Sequence, residues 1–120
     1  MVTREILVID DDKLTRWSLA KVLARFGYRV REAASAAEGL ASAREFPPDL
    51  VLLDIRLLDG DGGTVLRDLR QSRPGLPVVM MSADATPETV RDMRSLGARG
   101  FLAKPCAAVL LQALIAYLLL

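Results

Sequence analysis

Short apolar runs that alternate with segments of helical period constrain this chain more than any other feature. "EILVID" (5–10), "DLVLLD" (49–54) and "PVVMMSA" (77–83) are too short for core helices and too continuous for half-exposed strands. They read as strands buried on both faces, the pattern of a parallel sheet. "YRVREA" (28–33) alternates with period two, like a less buried strand, and "RGFLAKP" (99–105) supplies a fifth. Helical segments separate them. From Leu14 to Phe26 the apolar residues Leu19, Leu23 and Phe26 share one face, and Gly27 follows as a stop. Ser35 and Glu38 form a capping-box pattern for a helix reaching Phe46, where Pro47-Pro48 ends it. Thr64 to Ser72 reads as a third helix, with Val65, Leu66 and Leu69 on one side. Thr86-Pro87-Glu88 opens a fourth, which stops near Gly97. The tail "CAAVLLQALIAYLLL" is the fifth. Strict alternation of five strands and five helices predicts an α/β fold: one parallel sheet with helices on both faces.

The 120 residues suit one domain, 1–120, with a real core. A formal net charge of +1 lacks the basic excess that direct nucleic-acid binding needs. The tail is very apolar, but its 15 residues fall short of the ~20 that span a bilayer. It reads as a buried or partner-covered helix, and no membrane role is expected. The single cysteine, Cys106, allows neither an intrachain disulfide nor a thiolate metal site, which fits a reducing, cytoplasmic location. The absence of histidine rules out a Ser-His triad, histidine metal ligation and histidine base chemistry. Of the 16 basic residues only Lys13, Lys21 and Lys104 are lysines, so a lysine placed after a strand is worth noticing.

In sheets of this kind ligands bind beyond the carboxyl ends of the strands. Asp10, Asp11 and Asp12 follow the first strand, Asp54 the third, Ser82-Ala83-Asp84 the fourth and Lys104-Pro105 the fifth. Carboxylates, a hydroxyl and an ammonium therefore converge on one sheet edge. Such a set suits a divalent cation. Mg2+ takes hard oxygen ligands and keeps several waters, so two or three protein oxygens suffice. The ion relieves the repulsion between Asp10, Asp11 and Asp54. A carboxylate beside it can attack phosphorus and form an acyl phosphate, with Lys104 and the Ser82 hydroxyl meeting charge on the phosphoryl oxygens. Asp12 reads as a helix-start acid, and Asp59 and Asp61 as loop decoration. Arg56 and Asp84 flank the site, where a pair across it would govern access of water. "DGDGG" is not an EF-hand loop, because Thr64 and Arg70 stand where a glycine and a glutamate are needed.

With these residues in place, the chain resembles the receiver domain of two-component response regulators. The resemblance covers residues 4–118 and rests on "ILVIDDD", "DLVLLDIRLLDGDG", "VVMMSA" and "GFLAKP", in that order. It implies a (βα)5 flavodoxin-like three-layer sandwich with strand order 2-1-3-4-5. It implies that Asp54 accepts a phosphoryl group from a phosphohistidine on a sensor histidine kinase or histidine phosphotransfer protein. Asp11 and Asp54 would ligate Mg2+ directly, Arg56 through its backbone carbonyl and Asp10 mainly through water. Ser82 matches the switch hydroxyl, Lys104 the family's lysine and Phe101 the switch aromatic. By this resemblance the domain catalyses only its own phosphotransfer and dephosphorylation, and its output is a change of shape around the fourth helix, fifth strand and fifth helix.

Four positions depart from the family pattern. Leu58 stands where proline is usual, and Gly63 where an apolar residue is common. Both are expected to loosen the loop after Asp54. Phe101 lacks the hydroxyl of a tyrosine, and Cys106 replaces a frequent aromatic. The apolar last helix, with Val109, Leu110, Ala113, Leu114, Ala116 and Leu118 covering more than one face, predicts a dimer or partner surface. Two other functions compete. Asp10 and Asp12 fit the D-x-D spacing of haloacid-dehalogenase-like phosphatases, with Asp10 as nucleophile, although Leu14 stands where that motif wants threonine or valine. A phosphorylation-independent binding module is the other. Whether an effector domain follows Leu120 is open at this level.

Overall fold

The computed structural model describes residues 2–120. The main sheet has five strands: β1 (Glu5–Ile9), β2 (Arg29–Ala33), β3 (Leu50–Asp54), β4 (Val78–Ser82) and β5 (Gly100–Ala103). Five helices alternate with them: α1 (Lys13–Arg25), α2 (Ala36–Glu45), α3 (Gly62–Ser72), α4 (Pro87–Ser95) and α5 (Ala108–Leu118). Every pairing in the sheet is parallel, in the order β2-β1-β3-β4-β5. This is the flavodoxin-like order that the resemblance implies.

The apolar runs are continuous because both sheet faces are covered. Alternate residues serve opposite layers. Leu7, Ile9, Leu53 and Met80 pack with Leu66 of α3 and Met93 of α4. Ile6, Val8, Leu52 and Met81 pack with Leu23 of α1 and Ile115 of α5. Each fully buried aliphatic side chain contributes roughly 1.5–3 kcal/mol. β2 lies at an edge and is only partly buried, as its alternating sequence predicts.

Side-chain caps set the helix starts. Asp12 accepts from the Thr15 amide at 3.2 Å, so it is the helix-start acid the sequence suggests. Thr86 caps α4 with Pro87 in the first turn. Ser35 caps α2 by accepting from the Glu38 amide at 3.1 Å. Glu38 reaches back to the amide of Ala34 at 2.7 Å, one residue earlier than in a standard capping box.

The segment after Asp54 differs from the expectation of a loose loop. Arg56–Leu57 and Gly60–Asp61 pair as a short antiparallel ribbon, turning at Leu58 and Asp59. α3 begins at Gly62, two residues before Thr64, because Asp61 caps it by accepting from the Gly63 amide at 2.8 Å. Asp59 is not loop decoration either. Its carboxylate accepts from the amides of Ala36 and Ala37 at 2.8 and 3.1 Å, at the positive end of α2. A Cβ on Gly62 would lie 2.4 Å from the Asp54 carbonyl oxygen, so glycine is required there for close backbone approach. Gly63 sits inside the helix, where a Cβ would touch Leu96 and Met93 at 3.4 Å. It adds no freedom to the loop.

Candidate functional site

The parallel strands deliver their last residues to one edge. Asp10 and Asp11 follow β1, Asp54 and Ser82 end β3 and β4, and Lys104 follows β5. Among the described residues, Asp10, Asp54 and Ser82 are the buried polar ones, at 0%, 7% and 4% exposure. Burial of carboxylates is costly unless they are paired. Here Lys104 supplies the pairing. Its Nζ donates to Asp10 Oδ2 at 2.6 Å and to Asp54 Oδ2 at 2.8 Å.

Backbone donors fix the remaining carboxylate oxygens. Asp10 Oδ1 accepts from the Asp12 amide at 2.9 Å, and Asp54 Oδ1 from the Arg56 amide at 3.2 Å. Asp11 Oδ2 accepts from the Leu58 amide at 3.0 Å, across 47 residues of chain. Arg16 Nη1 donates to the Asp10 carbonyl at 2.7 Å and so ties α1 to the end of β1. Ser82 Oγ accepts from the Asp84 amide at 3.0 Å, and its carbonyl accepts from the Lys104 amide at 2.8 Å.

Burial raises the Asp54 carboxyl above its ordinary value, and the nearby charge of Asp10 adds to this, while the Lys104 hydrogen bond opposes it. Burial pulls the Lys104 ammonium down, but its hydrogen bonds to Asp10 and Asp54 outweigh that and hold it above its ordinary value. Three carboxylates against one ammonium leave a net charge near −2. Asp10, Asp11 and Asp54 each offer an oxygen within 4.8 Å of the other two. Hard anionic donors with two uncompensated charges fit a divalent cation such as Mg2+.

A cavity of about 120 Å3 opens beside Asp54, lined by Arg56, Ser82, Ala83, Asp84 and Lys104. Arg56 Nη2 and Asp84 Oδ2 meet at 2.8 Å as an exposed pair. A larger cavity of about 480 Å3 adjoins this one on the α1 side. Leu14, Ser18, Val22, Cys106 and Leu111 line it, and Lys104 contributes to its wall. Phe101 is half-buried on β5, opposite Met80, and packs against the layer of α2, α3 and α4. Asp10, Asp11, Asp54, Ser82 and Lys104 thus meet at this edge with Arg56 and Asp84 beside them, whereas Phe101 sits mid-strand, level with Met80. The Leu58 amide and Arg16 were not indicated, and Asp59 was read only as loop decoration. A backbone donor carries no residue-type signal, and Arg16 and Asp59 act on partners the local sequence does not reveal.

The family described as the response regulator receiver domain matches residues 6–116. This chain is a response regulator receiver domain. The receiver is 37% identical over 101 residues to the transcriptional regulatory protein ZraR of Salmonella typhimurium, a match covering 84% of this chain and 23% of ZraR. It is 35% identical over 105 residues to the photosynthetic apparatus regulatory protein RegA of Cereibacter sphaeroides, covering 88% of this chain and 57% of RegA. The receiver therefore spans less than two thirds of the length of either relative. The crystal structure of a CheY-like response regulator receiver domain protein from Methanospirillum hungatei superposes with a TM-score of 0.90 at 32% identity, covering 98% and 94% of the two chains. The receiver is a phosphorylation-controlled switch of a two-component system. Among its described residues no helix is long and apolar enough to cross a membrane.

Proposed function

We propose that Asp54 accepts a phosphoryl group from a phosphohistidine on a partner histidine kinase or histidine phosphotransfer protein. The Asp54 carboxylate forms the new O–P bond as the P–N bond breaks, and the imidazole leaves and takes a proton from solvent. The observation that carries this reading is the cavity at Asp54, with the Lys104 ammonium 2.8 Å from its carboxylate. Asp10 is fully buried and does not line that cavity, which favours Asp54 over the phosphatase reading with Asp10 as nucleophile.

The residues that would hold Mg2+ are Asp11, Asp54 and the Arg56 carbonyl, with Asp10 acting through water. Bound there, the ion supplies positive charge to the phosphoryl oxygens. Lys104 can turn from the carboxylates to a phosphoryl oxygen. Ser82 exchanges the Asp84 amide for the same group, and Phe101 follows into the space left behind. That two-state element, at α4, β5 and α5, passes the signal to an effector in the same or another chain, or to a second receiver. We place the domain in the cytoplasm, in keeping with its single free thiol at Cys106. Its catalysis is confined to its own phosphorylation and dephosphorylation, and the exposed Arg56–Asp84 pair restrains water at the cavity mouth.

Treatment with phosphoramidate and Mg2+, followed by peptide mass spectrometry, tests the reading. An acyl phosphate on Asp54, absent from Asp54→Asn and shorter-lived in Asp84→Ala, is expected. A phosphoryl group on Asp10 would overturn the assignment in favour of the phosphatase reading.

A further inference from the structure

The Leu58 amide is the one donor at the site that comes from the loop after β3 and reaches the end of β1. It lies at the first central position of a two-residue turn between Leu57 and Gly60. The amide at that position of a hairpin turn has no partner within the turn itself. Here it donates to Asp11 Oδ2 at 3.0 Å, while the Leu58 side chain is 92% exposed and contributes nothing to the core. The next residue of the turn, Asp59, fastens the loop tip to the N-terminus of α2.

We infer that the Leu58 amide is a latch that competes with a divalent cation for Asp11. The inference rests on the metal reading given above. A hydrogen bond to an ionised carboxylate stabilises the metal-free form of that carboxylate. It must be weakened when a cation draws on the same charge. The latch therefore lowers cation affinity and links occupancy of the site to the position of the 55–61 loop.

The backbone allows a clean test. Among the described residues no non-glycine residue has a positive φ, so Leu58 has a negative one, and Leu57 before it is extended. Proline is favoured at the first central turn position and accepts an extended predecessor. Leu58→Pro thus removes the N–H and keeps the turn. Leu58→Ala keeps the N–H and removes the side chain. Calorimetric titration with Mg2+ should show about three- to tenfold tighter binding for Leu58→Pro, the equivalent of part of one hydrogen bond to a charged group, and unchanged binding for Leu58→Ala. In the native sequence, the Leu58 amide should exchange slowly in chelator and several-fold faster in saturating Mg2+ by NMR.

If Mg2+ binds and the three proteins share one affinity, or the Leu58 amide exchanges equally with and without the ion, the latch is wrong and the metal site stands. Equal tightening by Leu58→Ala also overturns it, since the side chain would then be the cause. If the native protein binds no Mg2+ at all, the metal reading itself falls and takes the latch with it.

Discussion

Asp54 carries two conflicting demands. It must be ionised to attack phosphorus, and it sits where burial favours its neutral form. With its carboxyl raised above 3.8 in the fold, the folded chain holds the Asp54 proton more tightly than the unfolded chain does. This group therefore favours folding most below its unfolded value, and that contribution is lost as pH rises through the folded value. Asp54→Asn keeps an acceptor for Lys104 and removes the charge. In chelator at neutral pH it should stabilise the domain by about 1 kcal/mol, an ordinary single-site effect. The gain should shrink as pH falls through the folded Asp54 value, as measured by urea unfolding across a pH series. Asp10, Asp11, Asp54, Ser82 and Lys104 were legible in the sequence because each follows an apolar run, and strand ends converge in a parallel sheet. The Leu58 amide was not, since proximity of a backbone group to Asp11 is a property of the folded loop alone.

Among the elements, the ribbon and the start of α3 decide how the site is framed. Gly62 lets the helix begin directly against the Asp54 and Ile55 backbone. Gly62→Ala would place a methyl group against backbone that has no rotamer to change, so about 1–3 kcal/mol of destabilisation is expected by thermal unfolding. Gly39→Ala is the contrast. Its Cβ would meet a side chain, 2.5 Å from Cδ1, 2.9 Å from Cγ1 and 3.0 Å from Cγ2 of the buried Ile9, and a rotamer change can move only Cδ1 out of the way. Helix starts at Ser35 and Thr86 could be read from the sequence because a capping hydroxyl acts within three residues. The start of α3 could not, because two glycines disguise helix as loop and their reason is a contact with the end of β3. Asp59 was misread for the same cause: its partners Ala36 and Ala37 lie 23 and 22 residues away.

At the scale of the whole molecule, the strand order followed from alternation and family resemblance together, whereas the outer face of α5 is a statement about a surface. Val109 and Tyr117 are 78% and 72% exposed, and the helix carries no charged residue. Apolar exposure of that kind marks a contact surface, and a second receiver docked through α4, β5 and α5 would cover it. Sedimentation of the phosphorylated domain should reveal a concentration-dependent dimer that Val109→Asp or Tyr117→Asp dissociates. A monomer at all concentrations, with and without phosphorylation, would rule this surface out for self-association. Lys104 has a consequence of a different kind. Lying between Asp10 and Asp54, it supplies part of the counter-charge these buried carboxylates need, so we expect the chain to fold without an ion. We expect a cell starved of magnesium to accumulate intact receivers that cannot respond, rather than to lose them to proteolysis. The response would then return when the ion does, without new protein synthesis.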